Sequence, residues 1–262
     1  MLPLKNRTML GYCKLDMLGY VLCAGMLLVG CADDNHEASP PASDVPEQEA
    51  ADTSGTSGPV AVSYLALGDS YTIGTGLSDP SEAFPFQLAA RLDAEAGLEV
   101  APPLIIAQNG WTTANLQSGI ANATTDSVYR LVSLLIGVNN QFQGRPIEEY
   151  EVQFTSLLET ALGFAAGDTA AVFVLSIPDY GVTPFGQNMN PQAIAEGVDA
   201  FNAVNQSIAA AFGVSYFHIT DISRELGNSP GALAPDGLHP SGMQYSAWID
   251  SFYEHIKLKI HD

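Results

Sequence analysis

From Val60 onward, short apolar runs alternate with longer amphipathic stretches, and this alternation leaves few folds open. The apolar runs are Val60–Leu67, the Leu104–Ala107 segment within Leu98–Gln108, Val128–Ile136, Ala170–Ile177 and Val214–Ile219. Between and after them lie helical patterns over Glu82–Ala96, from Thr112 or Thr113 to Ala121, Pro146–Ala166, Pro191–Phe212 and Gly242–Lys259. Phe86, Leu88, Ala89 and Leu92 sit at the spacing of one helix face. Thr112 or Thr113 suits a helix cap, and Pro146 suits a first helical turn. Near-continuous apolar runs such as VYRLVSLLI belong to strands covered on both faces. Strands repeatedly separated by helices predict an α/β fold: a five-stranded parallel sheet in a three-layer α/β/α sandwich.

The residues before this domain carry an address. Lys5, Arg7 and Lys14 precede an uncharged, mostly apolar run from Met17 to Val29, which meets Gly30-Cys31. Thirteen residues are too few to span a bilayer, so residues 1–30 read as a signal peptide. Leu28-Val29-Gly30-Cys31 resembles the lipobox of bacterial lipoproteins, in which cleavage leaves a cysteine to be lipidated; an ordinary cleaved signal with an incidental Cys31 is the competing reading. Residues 32–58 are rich in Asp, Glu, Pro, Ser, Ala and Gly with almost no large apolar side chains, the composition of a disordered acidic tether. The expected division is therefore signal 1–30, lipidated Cys31 with tether to 58, and one folded domain over 59–262. The expected setting is outside the cytoplasm, with the membrane contacted through the N-terminal lipid alone.

The formal net charge of −20 becomes −22 once residues 1–30 are removed. Such acidity argues against nucleic acid and against docking on anionic lipid. No Cys/His cluster with ligand spacing remains in the domain, so neither a metal nor another cofactor is implied.

In a parallel sheet, ligands bind beyond the carboxyl ends of the strands, where the strand order reverses. Polar residues fall at those ends. Ser70 follows the first strand, Gly110 the second, Asn139 the third, and Asp236-Gly237-Leu238-His239 lies after the fifth. Taken alone, Gly68-Asp69-Ser70 is an ordinary turn, Gly110 another, and Asn139 a turn or helix cap. Taken together they supply a nucleophile (Ser70), a base (His239), a partner for the base (Asp236) and oxyanion donors from the Ser70 and Gly110 amides and the Asn139 side chain. Of the five histidines, only His239 lies in a loop on that rim.

GDSY at Gly68–Tyr71, Gly110, GVNN with Asn139, and DGLHP with Asp236 and His239 resemble, in order and spacing, the four signature blocks of the SGNH (GDSL-type) hydrolases. The resemblance covers residues 60–258. It implies a flavodoxin-like five-stranded sheet between helix layers and a serine ester hydrolase with Ser70 as nucleophile, His239 as base, Asp236 as its partner, and Ser70, Gly110 and Asn139 as the oxyanion hole. The family often has Asp where Asn140 stands here. The α/β-hydrolase elbow Gly-x-Ser-x-Gly is not matched, since Thr72 holds its last position.

The substrate is less legible. Trp111, Phe142, Tyr180 and Phe185 fall in loops near the rim and either wall a substrate pocket, with Asn140 beside them, or cap the core. Asp179, in SIPDYGVTPFG, is either a polar contact in that pocket or a turn brace. The expected substrates are small-molecule, lipid or glycan esters. The alternative is a catalytically silent lipoprotein that uses the fold to bind a glycan or protein.

Overall fold

The computed structural model describes residues 58–125 and 127–261. The signal, Cys31 and the tether up to residue 57 lie outside the described residues. Among the described residues no helix is long and apolar enough to cross a membrane.

The first apolar run is divided. β1 (Val60–Val62) and β2 (Tyr64–Gly68) part at Ser63, whose Oγ accepts from the Arg130 amide at 3.2 Å. The segment expected as one strand over Leu98–Gln108 is likewise two, β3 (Leu98–Val100) and β4 (Leu104–Ala107). Pro102-Pro103 stands between them, and proline has no N–H to give a ladder. β1 pairs with β3 in a small parallel sheet. The main sheet contains β5 (Leu131–Leu135), β6 (Val172–Leu175) and β7 (Ser215–Phe217), and its order is β4-β2-β5-β6-β7, all parallel.

The helices after β2 are α1 (Ser70–Ile73) and α2 (Phe84–Asp93); α3 (Thr113–Asn122) follows β4. β5 leads into α4 (Val138–Phe142) and α5 (Ile147–Phe164), and β6 into α6 (Pro184–Gln187) and α7 (Pro191–Phe212). α8 (Thr220–Leu226) and α9 (Gly242–His261) close the chain. The step from β2 to β4 runs one way along the sheet; the steps from β4 to β5, to β6 and to β7 run the other. Right-handed crossovers therefore put α2 on one face and α3, α5 and α7 on the opposite face. Packing agrees, because α2 meets α9, while α5 meets both α3 and α7. Every residue of β2, β5 and β6 is buried, as a sheet covered on both faces requires. The reversal in strand order flanks β2, which places the carboxyl ends of β2, β4 and β5 around one crevice.

Candidate active site

β2 ends at Gly68, and the chain turns at once into α1. Asp69 caps that helix, its Oδ1 accepting from the Tyr71 amide at 3.0 Å, so Ser70 is the first helical residue. Gly68 is there for room rather than for its dihedrals. A Cβ at this position would run into Thr72 Oγ1 and the Leu135 carbonyl oxygen of the neighbouring strand. Asp69 is buried, and burial pushes its carboxyl up to about 7 against the lowering effect of the Tyr71 amide. It braces the turn.

The β5 end is arranged similarly. Gly137 precedes α4, and Asn139 in its first turn donates from Nδ2 to the Trp111 carbonyl at 2.9 Å, leaving a second N–H on the same nitrogen. The next residue points inward. Asn140 is fully buried, accepts from the Thr113 amide at 3.0 Å and donates to Thr113 Oγ1 at 2.7 Å. It therefore pins α4 to the start of α3. Gly110, at the β4 end, is exposed with φ +78°, a backbone that favours glycine, and open space lies where a Cβ would be. Thr112 beside it closes a capping box with Asn115.

The fourth station lies in the loop between α8 and α9. An antiparallel bridge between Leu233 and Pro240 draws the loop shut, and the Ala234 amide donates to the His239 carbonyl at 2.8 Å. Inside it, Asp236 Oδ1 accepts from the Leu238 and His239 amides, each at 3.0 Å, and Oδ2 lies 2.7 Å from His239 Nδ1. Burial works to raise the Asp236 pKa, but the bonds from the His239 ring and the two amides outweigh it and hold the carboxyl below its ordinary value. An ionised partner at Nδ1 fixes the proton there and leaves Nε2 as the basic nitrogen. The imidazole packs against the Tyr71 ring, centroids 5.1 Å apart.

Ser70, Asn139 and His239 line one cavity of about 100 Å³. Phe142, Tyr180 and Phe185 form its wall, and Tyr71, Asn109, Val138 and Leu238 complete it. Sequence reasoning does not name these last four as pocket residues. Tyr71 and Leu238 adjoin Ser70 and His239, and that adjacency is the available signal. Two residues expected in the pocket lie elsewhere. The Trp111 indole lies on Gly119 of α3, partly buried against the core, and Asn140 is spent on Thr113. Asp179 is also outside the cavity. Buried, it accepts from the Gly181 amide at 2.8 Å and from Arg224 Nε at 2.9 Å, and so braces the loop that carries Tyr180. A larger cavity of about 490 Å³ sits at the opposite, amino-terminal end of the strands, beside Ser63, Arg130 and Ala171. It holds no hydroxyl–imidazole–carboxylate set. Among the described residues no group of three His, Cys, Asp or Glu side chains could hold a metal ion.

Ser70, His239 and the Asn139 amide share one cavity, a combination that can serve acyl transfer, whereas Gly110 is not among the residues that line it. No curated protein matches the chain significantly. Several solved structures share its fold. TesA is 20% identical with a TM-score of 0.59, over 75% of this chain and 99% of its own. The psychrotrophic esterase EstA from Pseudoalteromonas sp., in a structure inhibited by monoethylphosphonate, is 18% identical with a TM-score of 0.54, covering 76% of this chain and 99% of that one. Axe2, an acetylxylan esterase from Geobacillus stearothermophilus, is 19% identical with a TM-score of 0.57, over 76% and 95%. The family model described as "GDSL-like Lipase/Acylhydrolase family" matches residues 66–247, a span that contains Ser70, Gly110, Asn139, Asp236 and His239. A match over most of the chain shows that this protein belongs to the GDSL-like lipase/acylhydrolase family and is an ester hydrolase.

Proposed function

We propose that the protein is a serine carboxylic-ester hydrolase that works through an acyl-enzyme on acyl or acetyl esters of lipids or glycans. The observation that carries this reading is that His239, bonded to Asp236, lines the same cavity as Ser70 and Asn139. Ser70 Oγ attacks the ester carbonyl carbon as His239 Nε2 takes the hydroxyl proton, and Asp236 stays ionised to hold the imidazole. The negative charge gathered on the carbonyl oxygen meets the Ser70 and Gly110 amides and the second N–H of Asn139 Nδ2, each such donor being worth about 3 kcal/mol in the transition state. His239 then gives the proton to the alkoxide oxygen as the C–O bond breaks. The alcohol leaves, and water repeats the sequence to free the acid.

The similarity to an esterase inhibited by monoethylphosphonate and to an acetylxylan esterase is in keeping with such chemistry. The N-terminal sequence supports a place for it: an exported protein lipidated at Cys31 and held off a membrane by residues 32–58. The purified protein should hydrolyse a short-chain aryl ester and be labelled at Ser70 by a fluorophosphonate, and Ser70→Ala should abolish both. Equal, slow hydrolysis by wild type and Ser70→Ala would show the assignment to be wrong.

A further inference from the structure

We infer that the alcohol half of the ester lies on the wall formed by Phe142 and Phe185 while the acyl half is confined to the small cavity over Ser70, so that the preferred substrates are short-acyl esters of ring alcohols. This rests on the serine mechanism proposed above. There, His239 delivers a proton to the departing oxygen, so the alcohol must leave on the imidazole side. The loop that holds His239 abuts the start of α6: a Cβ on Gly237 would lie 3.8 Å from both Cβ and Cγ of Pro184. Phe185 is the next residue, and it lines the same cavity as His239. The imidazole side is therefore bordered by an aromatic ring.

That ring belongs to a fixed surface. Phe185 and Phe142 have centroids 6.0 Å apart, and both rest on Tyr180 at 6.4 and 5.9 Å. Tyr180 is buried beneath them, its hydroxyl donating to Gln141 Oε1 at 2.8 Å, while Phe142 is 48% and Phe185 42% exposed. These two exposed rings line the same cavity as Ser70 and His239 and so offer apolar area to a ligand bound there. The cavity that these rings line together with Ser70 and His239 is about 100 Å³, far below the about 300–1,000 Å³ that takes a drug-sized ligand, so it has room for the reacting group and a short acyl chain, and a bulkier alcohol must lie over the exposed outer parts of the rings. A ring with an apolar face, whether aryl or pyranose, matches what Phe142 and Phe185 offer, because stacked ring faces share dispersion and area burial.

The test compares acetate esters of methanol, benzyl alcohol and a methyl xyloside, with Phe185→Ala and the double variant Phe142→Ala/Phe185→Ala. Wild type should favour the ring esters over methyl acetate in kcat/KM. Each truncation should lower that preference about three- to tenfold, the worth of one aromatic contact. A fall for the benzyl ester alone identifies an aryl alcohol, for the xyloside alone a carbohydrate, and for both the shared ring face. Benzyl hexanoate should be turned over less well than benzyl acetate. A preference for the hexanoate that vanishes with Phe185→Ala would make the wall an acyl site and overturn the inference, as would an unchanged ring preference in both variants. A wild type that hydrolyses none of the esters overturns the serine mechanism as well, whereas hydrolysis of methyl and ring esters alike overturns this inference alone.

Discussion

Asp69 stands beside Ser70 with its carboxyl buried, and the substitution Asp69→Asn keeps the cap while removing the titration. Burial raises the folded pKa to about 7 from an ordinary value of 3.8. The sign follows from proton counting. Below pH 3.8 both folded and unfolded chains hold the proton, and Asp69 contributes no pH dependence. Between 3.8 and about 7 the folded chain keeps a proton that the unfolded chain has released, so stability falls as pH rises. Above about 7 the full cost is present, about 3 pH units at about 1.36 kcal/mol each, or about 4 kcal/mol. The amide introduced by Asp69→Asn carries none of this.

The gap between Asp69→Asn and wild type should therefore widen with pH. From pH 5 to pH 8 the linkage gives about 2–3 kcal/mol, which for a domain of this size corresponds to about 5–10 °C in melting temperature. Thermal unfolding followed by circular dichroism, both proteins at each pH, reads it directly. Only the difference matters, because every other titrating group is common to the two proteins and any pH-independent effect of the amide shifts the whole curve. A difference that stays level between pH 5 and 8 would refute the argument that burial without a balancing cation sets the state of Asp69.

Asp236→Asn should lower kcat by about 10³–10⁴ with little change in KM, because an amide no longer fixes the His239 proton on Nδ1. Steady-state kinetics on a short ester measures this, and a loss under about tenfold would remove Asp236 from the catalytic set. Gly68→Ala should destabilise the fold by about 3 kcal/mol or more, since the new methyl meets the Leu135 backbone, which cannot move without breaking the β2–β5 pairing. A melting temperature within about 2 °C of wild type would contradict it.

How much of this is legible in the sequence depends on what each element owes to its own residues. β5 and β6 are plain because a doubly covered strand must be apolar throughout. α7 is plain because Pro191 opens it and an amphipathic pattern runs on to Phe212. The breaks at Ser63 and at Pro102-Pro103 are hidden, since a short polar or proline interruption does not erase an apolar run. So are α1, α4 and α8, which have four, five and seven residues and scarcely show a helical period. The residues gathered at the site are found by chemistry and by position at strand ends. The pocket is less legible because side-chain direction there is decided by distant partners. Asn140 turns inward toward Thr113, 27 positions earlier, and Trp111 is drawn onto Gly119.

Those distant partners also explain why a site assembled from separate segments of the chain can be stiff. Asn140 ties the Asn139 helix to α3, which begins three residues after Gly110. Tyr180 ties the same helix, through Gln141, to the loop after β6, and Asp179 anchors that loop to Arg224 of α8. Tyr245 of α9 donates to the Tyr71 carbonyl at 2.9 Å and holds the helix that begins at Ser70. The Ser70 and Asn139 helices therefore each depend on a hydrogen bond from an element that takes no part in the chemistry. A bond of this kind adds only about 1 kcal/mol to stability, yet a displacement of about 1 Å at the reacting atoms changes rate by about a hundredfold. Selection on turnover would thus bear on Asn140, Gln141 and Tyr245 more strongly than their contribution to folding would suggest.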